Sequence, residues 1–305
     1  MEDESSLNLE LPIQFDNKRL DPWFVTGFTD AGGSFLIGLS ENKELVSGYR
    51  TRFTFCINLH TKDLLKSIQL YFGGKGTFYF YKDKKAVQYR INTSEDLKIV
   101  IDHFDQYPLC TQKKADYLLF KQAFFLYKDH RLTKEILDQI VAIKASVNRG
   151  LSEKLKNSFS DIIPVPRPSI LNEKVPHPYW LSGFVSGDGS FGLNISKSTT
   201  HKLGWKVTLL FTIGQDKRES CASKRSLEEE FMKNLANYLS CGYWTDSQSQ
   251  SYGQFVVTKF SDIGNIIIPF CAPIPYKVRD SLRWAKLKLG SLRRALSERR
   301  RFLWI

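Results

Sequence analysis

The feature that most constrains the fold is an internal repeat. Residues 23–35 read WFVTGFTDAGGSF, and residues 179–191 read YWLSGFVSGDGSF, at an offset of 156. Further along, residues 88–91 and 254–257 match at an offset of 166. Self-similarity of this kind indicates a duplicated structural unit. Two copies in one chain predict a monomer with internal pseudo-two-fold symmetry.

The repeat divides the 305-residue chain into four segments. We predict an N-terminal extension (1–20), a first repeat (21–150), a proline-rich linker (151–178) and a second repeat with a basic C-terminal segment (179–305). The linker lacks hydrophobic periodicity, which predicts an extended connection. Its prolines are Pro164, Pro166, Pro168, Pro176 and Pro178.

Each copy has the pattern helix, two strands, helix, two strands and helix. In residues 52–60 the side chains of Phe53, Phe55 and Ile57 alternate with polar ones. Such alternation is typical of an antiparallel sheet with one apolar face covered by helices. The predicted class is therefore α+β, with two pseudo-symmetric αββαββα repeats, each leaving the polar face of its sheet open to a partner.

The charge of the chain points to a polyanionic partner. The formal net charge is +12 and the isoelectric point is about 9.4. Lys and Arg gain affinity for nucleic acids by releasing counterions from phosphates, although a solvated basic surface is the alternative.

Other classes of site have no motif in this sequence. The cysteines form no CxxC pair, the histidines have no zinc-ligand spacing, and no Walker or GxGxxG motif follows a strand. No apolar run suits a membrane span, and the acidic N-terminus resembles neither a signal nor a transit peptide.

The first helix of each copy carries small residues four positions apart. Gly27 and Ala31 have this spacing in copy one, as do Gly183 and Gly187 in copy two. Small residues on one helix face allow two backbones to approach closely. Local core packing would explain one such helix, but the matched pair favours packing of the two helices on each other.

A carboxylate ends the second of these helices. Asp188 precedes Gly189, whereas Gly32 precedes Gly33 in copy one. We expect both glycines that follow to be left-handed C-caps. An acid at the negative end of a helix dipole is unfavourable, which suggests a function for Asp188. A carboxylate beside two helix ends rich in carbonyl groups is suited to a hard cation such as Mg²⁺.

Residues 181–189, LSGFVSGDG, resemble the nonapeptide of the LAGLIDADG homing endonuclease family. Residues 25–33 resemble it too, but Gly32 stands where the family has Asp or Glu. The resemblance extends over roughly residues 21–290 and is closest to the single-chain, two-repeat branch of organellar introns. It implies that the two nonapeptide helices pack at the centre of a saddle over the DNA major groove, and it implies an organelle, most often the mitochondrion.

The family resemblance also implies roles for individual residues. Asp188 would bind a divalent metal, Mg²⁺, beside the scissile phosphates. A β-ribbon can read base edges in the major groove, although any one outward residue could be exposed without contacting a base. The candidates for DNA contact share outward strand parity, and they are Ser34, Ser40, Arg50, Arg52, Thr54, Asn58, Gln88, Arg90, Ser190, Asn194, Ser196, Lys206, Thr208 and Gln254.

The predicted site is asymmetric. The family places amide and basic side chains near the helix ends, and Gln215 and Lys259 occupy those positions with inward strand parity. Their counterparts in copy one, together with that of Asp188, are Leu59, Thr93 and Gly32. Asp30 is a poor substitute for the missing acid, because it points about 200° around the helix from position 32.

Three functions remain open at this stage. The first is a sequence-specific, metal-dependent endonuclease for double-stranded DNA, with double-strand cleavage weakened or lost and nicking retained. The second is an RNA-binding intron maturase or ribonucleoprotein component that has lost DNA cleavage. A ribbon cannot read the narrow major groove of A-form RNA, so intron or ribosomal RNA would bind elsewhere, for example at the basic segment 293–301. The third is a DNA-binding module without activity.

Overall fold

The duplication is present in the three-dimensional structure, a computed structural model that describes residues 20–59, 62–81, 86–130, 132–170, 174–201, 204–216, 222–246 and 252–268. The first repeat comprises α1 (Pro22–Gly32), β1 (Gly33–Glu41), β2 (Tyr49–Leu59), α2 (Lys62–Tyr71), β3 (Thr77–Tyr81), β4 (Ala86–Ile91), α3 (Ser94–Gln106), α4 (Lys113–Asp129) and α5 (Lys134–Ala145), and α6 (Glu153–Ser158) follows it in the predicted linker. The second comprises α7 (Pro178–Asp188), β5 (Gly189–Lys197), β6 (Trp205–Asp216), α8 (Ala222–Leu239), β7 (Tyr243–Asp246), β8 (Tyr252–Val257) and α9 (Phe260–Asp262), followed by a π-helical turn (Ile263–Ile267). None of the helices in these ranges has the length and apolarity that a membrane span requires.

The two sheets have the same topology. Each is antiparallel and four-stranded, with the order β1-β2-β4-β3 in the first repeat and β5-β6-β8-β7 in the second. The registers also correspond, since Phe55 pairs with Ile91 in one sheet and Phe211 with Val257 in the other. The predicted α+β class and the αββαββα order are confirmed.

The inward face of the first sheet is an aromatic core, as the alternation predicted. Phe35 and Phe53 are buried under α4, with ring centroids 5.5 and 5.6 Å from that of Phe120. The ring of Phe53 also meets that of Phe124 edge-on at 5.6 Å. Tilted and edge-on aromatic pairs add to the free energy gained by burying the rings. This packing orients the sheet so that its other face is turned away from the helices.

Helices α1 and α7 pack on each other at the centre of the molecule. A Cβ atom at Gly27 would lie 1.8 Å from the backbone oxygen of Trp180, and one at Gly183 would lie 2.1 Å from that of Phe24. No side chain can be accommodated at such distances. The small residues therefore serve the contact between the two copies, and local core packing does not explain them.

The prediction that both helices end in left-handed glycine caps was wrong. Gly33 has φ −85° and Gly189 has φ −75°, and each is already the first residue of a strand. Glycine is needed for space, because a Cβ at these positions would lie 2.8 Å from the oxygen of Thr29 and 2.5 Å from that of Val185. The chain thus passes directly from each helix end into the sheet.

The proline-rich stretch lies against the first repeat and is tied to it. The predicted linker is not extended throughout, because its first part forms α6 (Glu153–Ser158), which Ser152 caps. After α6 it has no helix or strand up to residue 170, and the N–H of Val165 donates to the oxygen of Ala142 at 3.2 Å. The Arg167 guanidinium donates to the buried carboxylate of Asp116 on α4 at 2.5 Å and to the backbone oxygen of Gln112 at 2.8 Å. The basic segment 293–301 lies outside the described residues.

A neutral histidine connects α1 to the helices beneath it. The hydroxyl of Thr26 donates to the backbone oxygen of Tyr107 at 3.0 Å, so it accepts from His103 Nε2 at 3.1 Å. The other ring nitrogen of His103 then accepts from the hydroxyl of Tyr71 at 2.9 Å. Burial lowers the pKa of the His103 imidazole from 6.5 to about 3, so the folded protein requires its neutral form.

We expect His103 to make the fold sensitive to acid. The unfolded chain takes up a proton near pH 6.5, whereas the folded chain resists protonation down to about pH 3. The stability that this group contributes is therefore complete above pH 6.5 and is lost as the pH falls toward 3, by about 3 kcal/mol between pH 6.5 and 4. Urea unfolding at several pH values should show a shallower acid dependence for His103→Gln than for the parent. The exposed His130 offers a matched control, and an equal change in slope for His130→Gln would contradict the assignment.

Candidate active site and nucleic-acid interface

The ends of α1 and α7 lie side by side. Gly32 and Asp188 are the last residues of the two helices. A Cβ atom at Gly187 would lie 2.3 Å from the Cβ of Ala31 and 3.8 Å from the backbone nitrogen of Gly32. The position that carries an acid in one repeat and the position that lacks it in the other therefore belong to one centre.

The second repeat brings a carboxylate to this centre. Asp188 is partly exposed, and the chain after it is fixed because the N–H of Gly189 donates to the oxygen of Val185. A carboxylate here lies at the negative end of the α7 dipole, where it reduces helix stability.

The first repeat brings a positive charge instead. Gly32 has no side chain, and the ammonium of Lys113 donates to the backbone oxygens of Asp30, at 2.6 Å, and Ala31. Two carbonyl oxygens at the end of α1 are thereby engaged by a cation of the protein itself. Position 32 nevertheless has room for a side chain, because a Cβ there meets only the oxygen of Asn58 at 3.5 Å.

Asp30 cannot replace the missing acid. Its carboxylate is buried and accepts from the indole N–H of Trp180 at 2.8 Å, the N–H of Cys110 at 2.9 Å and the hydroxyl of Thr111 at 2.6 Å. Burial raises the pKa of Asp30, although these hydrogen bonds oppose the rise. The group fastens α1 to α7 through Trp180, as its orientation on the helix suggested.

The amide and basic candidates occupy equivalent positions in the two repeats. Leu59 pairs with Val87 in the first sheet and Gln215 with Gly253 in the second. The side chains of Leu59 and Gln215 lie outside the described residues.

The predicted strand position of Lys259 was wrong, because β8 ends at Val257 and Lys259 is the N-cap of α9. Its ammonium is largely exposed and lies 3.2 Å from a carboxylate oxygen of Asp262. Thr93 is likewise an N-cap, of α3, where its hydroxyl accepts from the N–H of Asp96 at 3.3 Å. β4 and β8 end earlier than the alternation of their side chains predicted, because a helix begins shortly after each of them.

The donor set fits a hard cation in the second repeat only. Within the described ranges, no three His, Cys, Asp or Glu side chains come together as a metal cluster. Mg²⁺ is commonly held by one or two carboxylates, with waters and substrate phosphates completing its shell, so Asp188 at a helix end is an adequate protein ligand. In the first repeat, Gly32 has no side chain to bind a cation, and the ammonium of Lys113 at the same helix end is itself positively charged.

The candidates for DNA contact share the open faces of the two sheets. Cross-strand pairs such as Ser40 with Arg50 and Ser196 with Lys206 place them in rows on that face. All fourteen are exposed or half-buried. Cys56 has the same parity but is buried, in the row between Ser34 and Arg90.

The tyrosines of β3 are candidates for DNA contact that the sequence did not reveal. Tyr79 and Tyr81 pair with Gln88 and Ala86 of β4, which brings both rings beside Gln88 and Arg90 on the open face. The alternation of residues 77–81 could have placed both tyrosines on one face of a strand. The register that brings them next to Arg90 cannot be deduced from the sequence.

Two abutting helices, with an acid position at their shared end and an open antiparallel sheet on each side, define a class of two-repeat proteins. Comparison with known proteins identifies the class. The profile of the LAGLIDADG endonuclease family matches residues 25–124 and 181–287. The chain belongs to this family.

The similar proteins include a fungal intron-encoded endonuclease and homing endonucleases whose structures contain DNA. The chain is 40% identical over 276 residues to the probable intron-encoded endonuclease 3 of Neurospora crassa, covering 88% of this chain and 50% of that protein. It spans about half the length of this relative and of the probable intron-encoded endonuclease 2 of the same fungus. The I-SmaMI LAGLIDADG homing endonuclease bound to cleaved DNA superposes with a TM-score of 0.81 at 38% identity, over 92% of each chain. I-GzeII in complex with its DNA target gives 0.77 at 35% identity, over 90% of this chain and 92% of that one.

Proposed function

We propose that this protein is a sequence-specific, metal-dependent DNA endonuclease of the homing type whose chemistry depends on the second repeat. The observation that carries the proposal is the pairing of helix ends that places Asp188 and Gly32 in one centre, with an acid on one side alone. A two-strand cut requires both sides of such a centre. Nicking of one strand, or weak double-strand cleavage, is therefore the expected activity.

Double-stranded DNA is the partner that the open faces suit best. Two sheets with polar outer faces and a net charge of +12 fit a duplex, which a two-stranded ribbon can enter through the major groove. I-SmaMI, similar over 92% of this chain, is described bound to cleaved DNA and to an uncleaved target with calcium ions. A single chain supplies both halves of the interface, so no second copy is needed.

A bound divalent metal, which we propose to be Mg²⁺, would polarise the phosphate and lower the pKa of the attacking water. Asp188, which is partly exposed, would hold it. The exposed ammonium of Lys259 follows β8 and would stabilise negative charge that develops on the phosphate, while Gln215 would orient water. In the first repeat, the hydroxyl of Thr93 is committed to capping α3 and has no corresponding role.

We infer the cellular location of this protein from the names of its relatives. Several of them are named as intron-encoded proteins, and one is a mitochondrial protein of Saccharomyces cerevisiae. We propose a mitochondrial location and retain the division into repeats at 21–150 and 179–305, with the linker 151–178 between them. Binding of intron or ribosomal RNA, as in a maturase, is the alternative that the lost acid of the first repeat favours.

Selection of a duplex from a randomised library, followed by incubation with Mg²⁺, tests the proposal. We expect one preferred site, binding by a monomer, and an affinity that falls by roughly 1,000-fold or more between about 50 and 200 mM salt, because several phosphates are neutralised. The product should be mainly nicked duplex. Equal affinity for all library members would refute specific reading, and tighter binding to a structured intron RNA than to any duplex would favour the maturase alternative.

A further inference from the structure

The open face of the first sheet carries a polar cluster that is joined by its own hydrogen bonds. This Arg90 cluster consists of Asn58, Tyr79, Tyr81, Gln88 and Arg90. The amide nitrogen of Gln88 donates to Asn58 Oδ1 at 2.7 Å, and the hydroxyl of Tyr81 donates to Gln88 Oε1 at 3.3 Å. Residues on three neighbouring strands are thus tied together before any partner binds.

The guanidinium of Arg90 is fixed within this cluster. It lies over the ring of Tyr79, with its central carbon 4.3 Å from the ring centroid. Its Nε–H donates to Gln88 Oε1 and a terminal N–H donates to the hydroxyl of Tyr81. A guanidinium has five N–H donors in one plane, so three remain for a ligand. In the part of the chain that the structure describes, no carboxylate forms an ion pair with Arg90.

The cluster lies close to the candidate active site. Arg90 pairs with Cys56, which pairs in turn with Ser34, the second residue after the end of α1 at Gly32. The row of Arg90 is therefore among the first rows of the sheet next to the helix ends. A base contacted by this row belongs to the inner part of the half-site beneath the first repeat.

In the described strands of the second sheet, the cluster has no counterpart. The register places Val256 where the first sheet has Arg90, Gly214 where it has Asn58, and Thr245 where it has Tyr79. Only Gln88 has the same residue type at its equivalent position, Gln254. Val256 is buried and offers no donor, so the two open faces differ in chemistry at the same distance from the centre.

We propose that Arg90 is a specificity-determining residue that reads a guanine in the inner part of the half-site beneath the first repeat. A planar fork of donors matches the O6 and N7 acceptors of guanine, and the fork is already oriented by Tyr79, Tyr81 and Gln88. Val256 offers no such fork at the pseudo-symmetric position, so we expect no guanine preference of the Arg90 type in the other half-site. This inference rests on the proposed binding of double-stranded DNA.

The base preference of Arg90 variants tests the inference. Binding to a randomised duplex library should be profiled in Ca²⁺ for the parent, Arg90→Ala and Arg90→Lys. We expect Arg90→Ala to reduce the preference for guanine at one inner position by roughly 10- to 100-fold and to leave the preferences at other positions intact. Arg90→Lys should keep more of the overall affinity but lose the same preference, because an ammonium lacks the bidentate fork.

Matched variants separate base reading from other roles. Arg52→Ala removes an exposed arginine, itself a candidate for DNA contact, from an outer row of the same face; we expect it to lower overall affinity but to leave the inner guanine preference in place. Tyr79→Leu should weaken that preference while Arg90 is still present. Equal loss of affinity by Arg90→Ala for every sequence, restored by Arg90→Lys, would identify a phosphate contact and overturn the inference. A parent protein that prefers no duplex at all would overturn the proposed function itself.

Discussion

Replacement of Asp188 by Asn is expected to abolish cleavage and to leave DNA binding unchanged. Asp188 is the carboxylate at the shared helix end, and Gly32 supplies no second one. The substitution replaces an anionic ligand for a hard cation by a neutral amide oxygen, which predicts a fall in the cleavage rate on the order of 100-fold or more. Asn has nearly the same shape, so α7 and its packing on α1 should be retained. Single-turnover cleavage of the selected duplex and gel-shift affinity measure the two effects separately.

The control for Asp188→Asn is a carboxylate elsewhere on the surface. Asp129 is exposed at the end of α4, and Asp129→Asn removes the same charge without touching the paired helix ends. Its cleavage rate should equal that of the parent. If Asp188→Asn cut as fast as Asp129→Asn, the proposed metal site would be wrong, whatever the binding data show.

Introduction of an acid at position 32 is expected to raise cleavage and to shift the product from nicked toward linear DNA. Position 32 accepts a side chain, since a Cβ there meets only the backbone oxygen of Asn58 at an ordinary 3.5 Å. Glu is a better helix former than Gly by roughly 0.5–1 kcal/mol, and its unfavourable position at the helix C-terminus offsets a similar amount. The stability of Gly32→Glu should therefore stay within about 1 kcal/mol of the parent. Plasmid cleavage with Mg²⁺ gives the ratio of nicked to linear product.

Recovery should be greater when Thr93→Lys is added, because this change supplies the cation that Lys259 gives to the second repeat. The substitution removes the hydroxyl that caps α3, so we expect a loss of about 1 kcal/mol in unfolding free energy. Gly32→Gln is the matched uncharged control and should not recover linear product. A double variant that binds its duplex normally but produces no cut would mean that the first repeat lacks more than these two groups. The binding or RNA alternatives would then be preferred.

Much of the architecture could be predicted from the sequence, because the internal repeat and the alternation of side chains within strands can be recognised from the residues alone. The repeat at residues 23–35 and 179–191 predicted two equal units, and the two-residue period of β2 predicted which face is buried. The four-residue spacing of Gly27 and Ala31, and of Gly183 and Gly187, predicted the central helix pair, because small residues on one face let two helix backbones approach closely. These predictions require no knowledge of distant contacts.

What the sequence does not reveal depends on register and on where elements end. Alternation assigns parity but cannot state that Tyr79 faces Gln88, so the Arg90 cluster was not foreseen as a unit. Strand parity extended to Lys259 failed because the chain turns into a helix two residues after β8. The glycines after each helix were expected to be left-handed, but steric space alone accounts for them. Each wrong or absent prediction concerns a cross-strand neighbour, a close steric contact or the end of an element, none of which a local pattern of residues contains.

The contrast between two glycines of α1 has an evolutionary consequence. Gly27 is locked against the backbone of Trp180, so almost any replacement there removes the fold and is eliminated with it. Position 32, five residues further along the same helix, has room for a Cβ atom, which meets only the oxygen of Asn58 at 3.5 Å. A chain of this design can thus lose or regain an acid by one substitution while keeping its folded surface, so that a cutting protein and a purely binding one are neighbours in sequence space.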